Sequence, residues 1–451
     1  MSGRDDIDFG KVKVQRLFTK MFVPTLLGMV SWALLTVVDG IFVGWGIGSN
    51  GIAAINISFP VFMLLTGFAL MVGMGVSVVA SIHLAENNEK AARINVTQAM
   101  LFSTVTVALA VAAVELFSVE VSSMLGSSST LLSMVHDYMV WLIPSGIMQM
   151  WAVIGLFIIR LDGAPKYAMW CNVVPAAANM VLDWLFIFPL DMGVKGAAIA
   201  SSLSVVIGGV MALAYLLFFA RKLRLYRLKA SATSLRLSMR NIFYQCKIGF
   251  SALLGEVTMA VLMITGNKVF MEYLGDPGVG AFGVACYYLP FVFMFGNSIA
   301  QSAQPIVSYN YGLGRTDRVK ETLWLSFRTG ALCSLFSIVA FALFPQLLVH
   351  LFIDANDPAA VIAINGFPLF AAGFLFFVLN IVAVGYLQSI KKVAPSVTFS
   401  LLRGMIFLFP TFILLPRLLE TAGIWLALPL TEAATFLFIV LYMFINRKGL
   451  F

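Results

Sequence analysis

The sequence predicts an all-α integral membrane protein, with twelve transmembrane helices in two pseudo-symmetric six-helix bundles around a central cavity. Composition, the length of the apolar runs and an internal repeat carry that expectation. Of 451 residues, 61% are hydrophobic and 11% charged, and the mean hydropathy is +0.96. A soluble domain carries about 25% charged residues because its surface faces water, so a soluble protein is excluded. Disorder is excluded as well, since there is ample apolar area to bury. The apolar runs last about twenty residues or more, the length an α-helix needs to cross ~30 Å of hydrocarbon. The alternating strands of a membrane barrel are missing.

Breaks at Gly, Pro and charged residues place helices at 17–44, 52–83, 92–117, 131–160, 166–188 and 194–220. A second set follows at 242–273, 279–309, 318–344, 358–388, 393–415 and 421–445. The chain then divides into an N-terminal segment (1–16), an N-lobe (17–220), a basic linker (221–241), a C-lobe (242–445) and a tail (446–451). No cleavable leader is expected, because residues 1–20 are charged and the first apolar run is already a full-length span. Lys and Arg set the orientation: 24 of the 29 fall in connections on one side, and only Lys195 and Arg417 on the other. The positive-inside rule therefore puts both termini of this multi-pass protein in the cytoplasm. The formal +8 is dispersed over many inner loops, so it reports topology and calls for no nucleic-acid partner. The basic linker is a solvated inner loop with some attraction to anionic lipid.

The two sets of six spans align at one offset of 227 residues. Gly48 and Gly51 fall on Gly275 and Gly278, Pro189 on Pro416, Gly196 on Gly423 and Ala200 on Ala427. An even number of spans per half gives both halves the same orientation. Such duplicated bundles flank a central cavity that opens alternately to each side.

Acids inside spans are costly, at least ~2.5–3.5 kcal/mol on insertion scales, and each is a functional candidate. Asp39 and Asp183 both lie about five residues before the outer ends of spans 1 and 5, at one depth. Asn179 shares the face of Asp183 one turn earlier, and Ser201 reaches the same depth descending span 6. Close carboxylates repel, so one of a pair tends to keep a proton, and oxygen ligands also suit a hard cation. The group reads as a site for H⁺ or Na⁺, with a static hydrogen-bonded knot as the alternative. Pro24 lies about four turns down the helix of Asp39, where a missing backbone hydrogen bond permits bending; a hinge and a permanent kink are both open. Arg403 and Glu432 lie at equal depth on the hairpin of spans 11 and 12 and read as a structural ion pair. Glu256 lacks such a partner and is a candidate for attracting a cationic substrate or a proton. Asn297, Gln301 and Gln304, with Ser308 and Asn310, lie along one side of span 8 and suggest a wet wall; helix-to-helix hydrogen bonding explains them equally well.

Other chemistry is not signalled. No phosphate-binding loop, H-E-x-x-H or G-x-S-x-G motif is present. Cys171, Cys246, Cys286 and Cys333 have no metal-type spacing and read as small buried hydrophobes. His83, His136 and His350 sit at separate span ends. An enzyme is not expected, nor any cofactor, and an ion gradient must drive transport. The abundant Phe and Met suit an adaptable greasy cavity, although lipid-facing packing absorbs most of them.

The run Val38-Asp39-Gly40-Ile41-Phe42-Val43-Gly44 resembles the first-helix signature of multidrug and toxic compound extrusion (MATE) transporters. Asn179-x-x-x-Asp183, followed by Gly193-Val-Lys-Gly196-Ala-Ala-Ile-Ala-Ser201, resembles it too. Gln304-Pro305-Ile-Val-Ser308-Tyr-Asn310-Tyr-Gly312 and Gly423-Ile-Trp425-x-Ala-x-Pro429 are similar to its MepA-like branch. The resemblance covers nearly the whole chain. It implies an antiporter of the inner (cytoplasmic) membrane with the MATE/MOP-like fold, exporting amphipathic, often cationic drugs through the lipid bilayer in exchange for H⁺ or Na⁺; a monomer is expected. It also implies that Asp39, Asn179 and Asp183, with the hydroxyl of Ser201, form the first-lobe ion site, which in the Na⁺ case is a metal site. Tyr138 matches a tyrosine that joins this network, Pro24 the bend of the first helix and Glu256 the acid of helix 7. Two departures stand out. Leu35 replaces a tyrosine one turn before Asp39, and Phe376 and Phe377 stand where the NorM branch has an acid on helix 10, with only Asn380 polar nearby. A lipid-linked saccharide flippase of the same superfold is the main alternative, and acids in the expected cavity disfavour its anionic phosphates.

Overall fold

A computed structural model describes residues 8–125, 131–228, 231–352 and 356–446. Residues 1–7 of the expected N-terminal segment and the tail beyond Asn446 lie outside the described residues. The described chain is helical, without strands. Its spans are numbered here α1 (Val14–Gly46), α2 (Ser49–Ala85), α3 (Glu89–Leu116), α4 (Leu132–Leu161), α5 (Pro165–Ile187) and α6 (Gly193–Phe219). They continue with α7 (Ser234–Gly275), α8 (Pro277–Gly312), α9 (Thr316–Leu343), α10 (Pro358–Ala371 with Phe374–Ser389), α11 (393–419) and α12 (421–445). Ten helices among the described residues are long and apolar enough to cross a membrane, or eleven when the two parts of α10, bent by 48°, count as one span. One of them, the 53-residue Val393–Ile445, would extend about 80 Å at 1.5 Å per residue, far beyond a ~30 Å core. Its backbone leaves helical geometry at Glu420 (φ 50°, ψ −130°), which divides it into the hairpin α11–α12 and gives the twelve expected spans.

The repeat has a physical basis at its turns. Gly48 (φ 90°) and Gly275 (φ 62°) both adopt the left-handed region where α1 gives way to α2 and α7 to α8, and a residue with a Cβ is disfavoured there. Gly193 (φ 57°) starts α6, and the same 227-residue offset carries it to Glu420 (φ 50°). Glu420 therefore holds a conformation that its counterpart meets with glycine. Glu420→Gly is expected to stabilise the protein by about 1 kcal/mol, read as a higher midpoint of thermal unfolding in detergent. An unchanged or lower midpoint counts against strain at this turn.

The described residues form two compact units, one of residue 8 and 23–253, the other of 9–22 and 254–446. This differs from a division at the 221–241 linker. Hydrogen bonding gives the reason. In the first unit the Asp162 carboxylate accepts from the backbone N–H groups of Arg221, Lys222 and Leu223 at 2.9–3.0 Å and from the Tyr215 hydroxyl at 2.8 Å. Arg93 donates to the carbonyls of Arg221 and Lys222, and Gln245 donates to Asn95 at 2.8 Å. The linker and the start of α7 are thus fastened to α3 and the end of α4. In the second unit Arg318 donates to the carbonyls of Phe9 and Val12, Arg315 to that of Gly10, and Asn310 to that of Phe9. The first turns of α1 are held there, and α1 passes from one unit to the other at Phe22–Val23, beside Pro24.

Within the first unit, α5 packs on α6, α4 on α6 and α2, and α2 on α3; within the second, α9 packs on α10 and α10 on the α11–α12 hairpin. Buried hydroxyls satisfy themselves by bonding the carbonyl one turn back, as in Ser103 to Ala99, Ser326 to Thr322 and Ser334 to Gly330. Much of the polar content of the spans is absorbed in this way.

Candidate ion site

The site grows from the way α1 lies along α5. Val43 of α1 and Ile187 of α5 belong to one buried apolar cluster with Tyr138 and Leu142 of α4 and Val194, Ala197 and Ala198 of α6. Trp32, Phe42 and Met148 pack against its edge, and Phe42 meets Phe188 edge-on with ring centroids 5.9 Å apart. Inside this apolar shell the carboxyl groups of Asp39 and Asp183 are neighbours. Such a contact needs a proton or a cation between them, since an ionised carboxylate only accepts. Asp183 is fully buried, Asn179 is 2% exposed and Tyr138 3%, while Asp39 and Ser201 are half-buried. Tyr138 stands close to Ser201 and to both aspartates. The structure thus brings Asp39, Tyr138, Asn179, Asp183 and Ser201 together.

Four atoms there have no hydrogen-bond partner although they are buried: Asp39 Oδ1, Asn179 Nδ2 and both carboxylate oxygens of Asp183. A buried polar group without a partner costs about 1–3 kcal/mol, and a charged one more. A static knot would satisfy its members; this group leaves its acceptors open, and acceptor oxygens beside an amide and a hydroxyl fit a proton or a hard cation such as Na⁺.

The second half lacks this arrangement. The 227-residue offset carries Asp39 to Gly266 and Asp183 to Pro410. It also carries Ala198 to Trp425, which is 1% exposed and packed against Phe270, Phe367 and Phe370. A small residue packed in the core of one half thus corresponds to a large indole in the other, an asymmetry that comparing helix ends does not reveal.

The remaining candidates do not converge on one wall. Gln304 is buried and donates to Ser308 at 3.1 Å, and Ser308 donates to the Ser389 carbonyl at 3.0 Å. Asn310 binds the N-terminal segment. These side chains of α8 tie helices together, which corrects the wet-wall expectation for Gln304, Ser308 and Asn310. Asn297 and Gln301 are half-buried, as is Glu256 on α7. Asn380 is buried and donates to Glu432 Oε2 at 2.7 Å and to the Glu432 carbonyl at 2.9 Å. Arg403, presented by a π-helical turn at Leu402–Ile406, bonds Glu432 Oε1 through Nε (3.1 Å) and Nη2 (2.8 Å) and stacks over Phe377 at 4.7 Å.

Fold and site together define a multi-pass membrane transporter. The MatE family model matches twice, over residues 24–185 and again over 252–413, one match in each half and within one residue of the repeat offset; the chain belongs to the MatE family, whose members are transporters and not enzymes. It is 24% identical to the FAD transporter of Shewanella oneidensis over 426 residues, covering 93% of this chain and 92% of that one. It is 24% identical to the multidrug export protein MepA of Staphylococcus haemolyticus over 437 residues, with 93% and 92% covered. Among solved structures, the MATE multidrug transporter DinF-BH superposes with a TM-score of 0.87 at 27% identity, covering 99% of both chains.

Proposed function

We propose that this chain is a secondary active multidrug exporter, moving amphipathic cationic compounds outward by alternating access in exchange for H⁺ or Na⁺. It works as a monomer in the cytoplasmic membrane with both termini inside. The observation that carries the reading is the buried Asp39–Asp183 pair with its open acceptor oxygens. Two ionised carboxylates at ~4 Å repel by about 4 kcal/mol at an effective dielectric of 20. Loading the pair with a proton or Na⁺ removes that repulsion, and α1, which carries Asp39, bends at Pro24 as the pair loads and empties. A membrane potential supplies ~2.3 kcal/mol per charge per 100 mV and a tenfold ion gradient about 1.4 kcal/mol more. MepA and DinF-BH support a multidrug cargo, and the FAD transporter gives reason to test a flavin beside it.

The test is transport by the purified protein in proteoliposomes, with pH and Na⁺ gradients imposed separately and ethidium or FAD as cargo. Ethidium movement driven by one of the two gradients is the expected result. Cargo movement indifferent to both gradients contradicts the coupling.

A further inference from the structure

We propose that Gly28 and Asn172 are a positioning pair for the ion site, setting the register of α1 on α5 that brings Asp39 onto Asp183; the proposal rests on reading that carboxyl pair as the coupling site. The two helices run in the same direction. A Cβ built on Gly28 would fall 3.0 Å from Asn172 Nδ2, 3.5 Å from Asn172 Cβ and 3.4 Å from Met169 Cα. Farther along, Asp39 meets Asp183, and at the outer end Gly46 touches the Ile187 side chain. Asp39 follows Gly28 by the same number of residues as Asp183 follows Asn172, eleven in each helix. Eleven residues are close to three full turns, about 16.5 Å, so each helix shows both of its members on one face. A slip of one residue moves a side chain by ~1.5 Å and turns it by about 100°, enough to part the carboxyls.

A Cβ at this crossing would press on the Asn172 amide, while the α5 backbone at Met169 lies at ordinary contact distance. The contact also has a telling place in α1. Pro24 lies four residues earlier, one turn away, and the helix before Val23 belongs to the other compact unit. Gly28–Asn172 is therefore a hold on α1 one turn beyond Pro24, and the ion site is three turns farther. Motion at Pro24 reaches Asp39 only through a segment whose register this contact fixes.

The experiment uses the full chain in proteoliposomes and reads two quantities for ethidium export: the concentration of the driving ion at half-maximal rate, and the maximal rate. Tyr138 is the other titratable group placed beside the carboxyl pair and is left intact. Gly28→Ala, whose methyl needs a shift of only a few tenths of an ångström, is expected to raise the half-activating ion concentration roughly tenfold, with elution on gel filtration unchanged. Adding Asn172→Ala removes the amide that the methyl meets and is expected to restore most of the loss, a coupling read by the double-mutant cycle. Wild-type ion dependence in Gly28→Ala, or a loss that Asn172→Ala does not relieve, overturns the positioning role. An Asp39→Asn protein with unaltered ion dependence overturns the site reading itself, and that outcome is separable because it does not involve residue 28 or 172.

Discussion

Asp183→Asn is expected to abolish ion-driven export while leaving the protein folded. The exchange keeps the size and shape of the side chain, so the packing of α5 on α6 is preserved. What it removes is the ability to take up and release a positive charge. Asp183 is fully buried and neither of its oxygens has a hydrogen-bond partner, so no fixed contact holds the carboxylate for structural reasons. An amide at 183 can donate to Asp39, relieving carboxylate repulsion, and thermal stability should be unchanged or slightly higher. Gradient-driven ethidium export should fall by about a hundredfold or more, since even modest misplacement of reacting groups costs that much and here the exchanging group itself is lost. The two readouts must be taken together, transport in proteoliposomes and the unfolding midpoint in detergent. A folded Asp183→Asn protein that still exports with a gradient removes Asp183 from the coupling site.

Glu432→Gln is expected to have the largest effect on stability. Arg403 and Glu432 have side chains only 6% and 1% exposed, so the substitution leaves a guanidinium deep in the membrane with no counter-charge. Breaking a buried pair by removing one partner costs about 3–5 kcal/mol, whereas replacing both partners with apolar groups is often neutral. The Phe377 ring that Arg403 overlies offsets little of this loss. Glu432→Gln should therefore lower the unfolding midpoint clearly, and the double variant Arg403→Met with Glu432→Leu should recover most of it. Asn380 keeps its bond to the residue 432 backbone carbonyl in every variant, so α10 and α12 remain tied. If the double variant is as unstable as the single one, the pair matters for its shape and not its charge.

Depth was legible from sequence, and direction around each helix was not. Counting from helix ends placed Asp39 level with Asp183 and Arg403 level with Glu432, because helices rise at a fixed increment and the spans are anchored at both surfaces. Whether side chains at one level face each other depends on crossing geometry. Asn380 looked like a lone polar residue near a missing acid; the bend within α10 turns it onto Glu432. Gln304 and Asn310 looked like a wall, yet their partners are a carboxy-terminal turn of α10, reached through Ser308, and the residues before α1. The unit boundary inside α1 was invisible for a similar reason: hydropathy sees a continuous span through Phe22–Val23 and carries no sign that Arg318 holds the residues leading into it. Trp425 reads from sequence as one more aromatic, and only its packing reveals a buried indole where the other half has the small, buried Ala198.

The most direct test is ion uptake by the purified protein without cargo, titrating with acid and separately with Na⁺ and following bound ion alongside the fluorescence of tryptophans such as Trp32, which borders the site. A saturable uptake of one of the two ions is expected in the unaltered chain, lost in both Asp39→Asn and Asp183→Asn. Undiminished uptake in both substituted proteins contradicts the account.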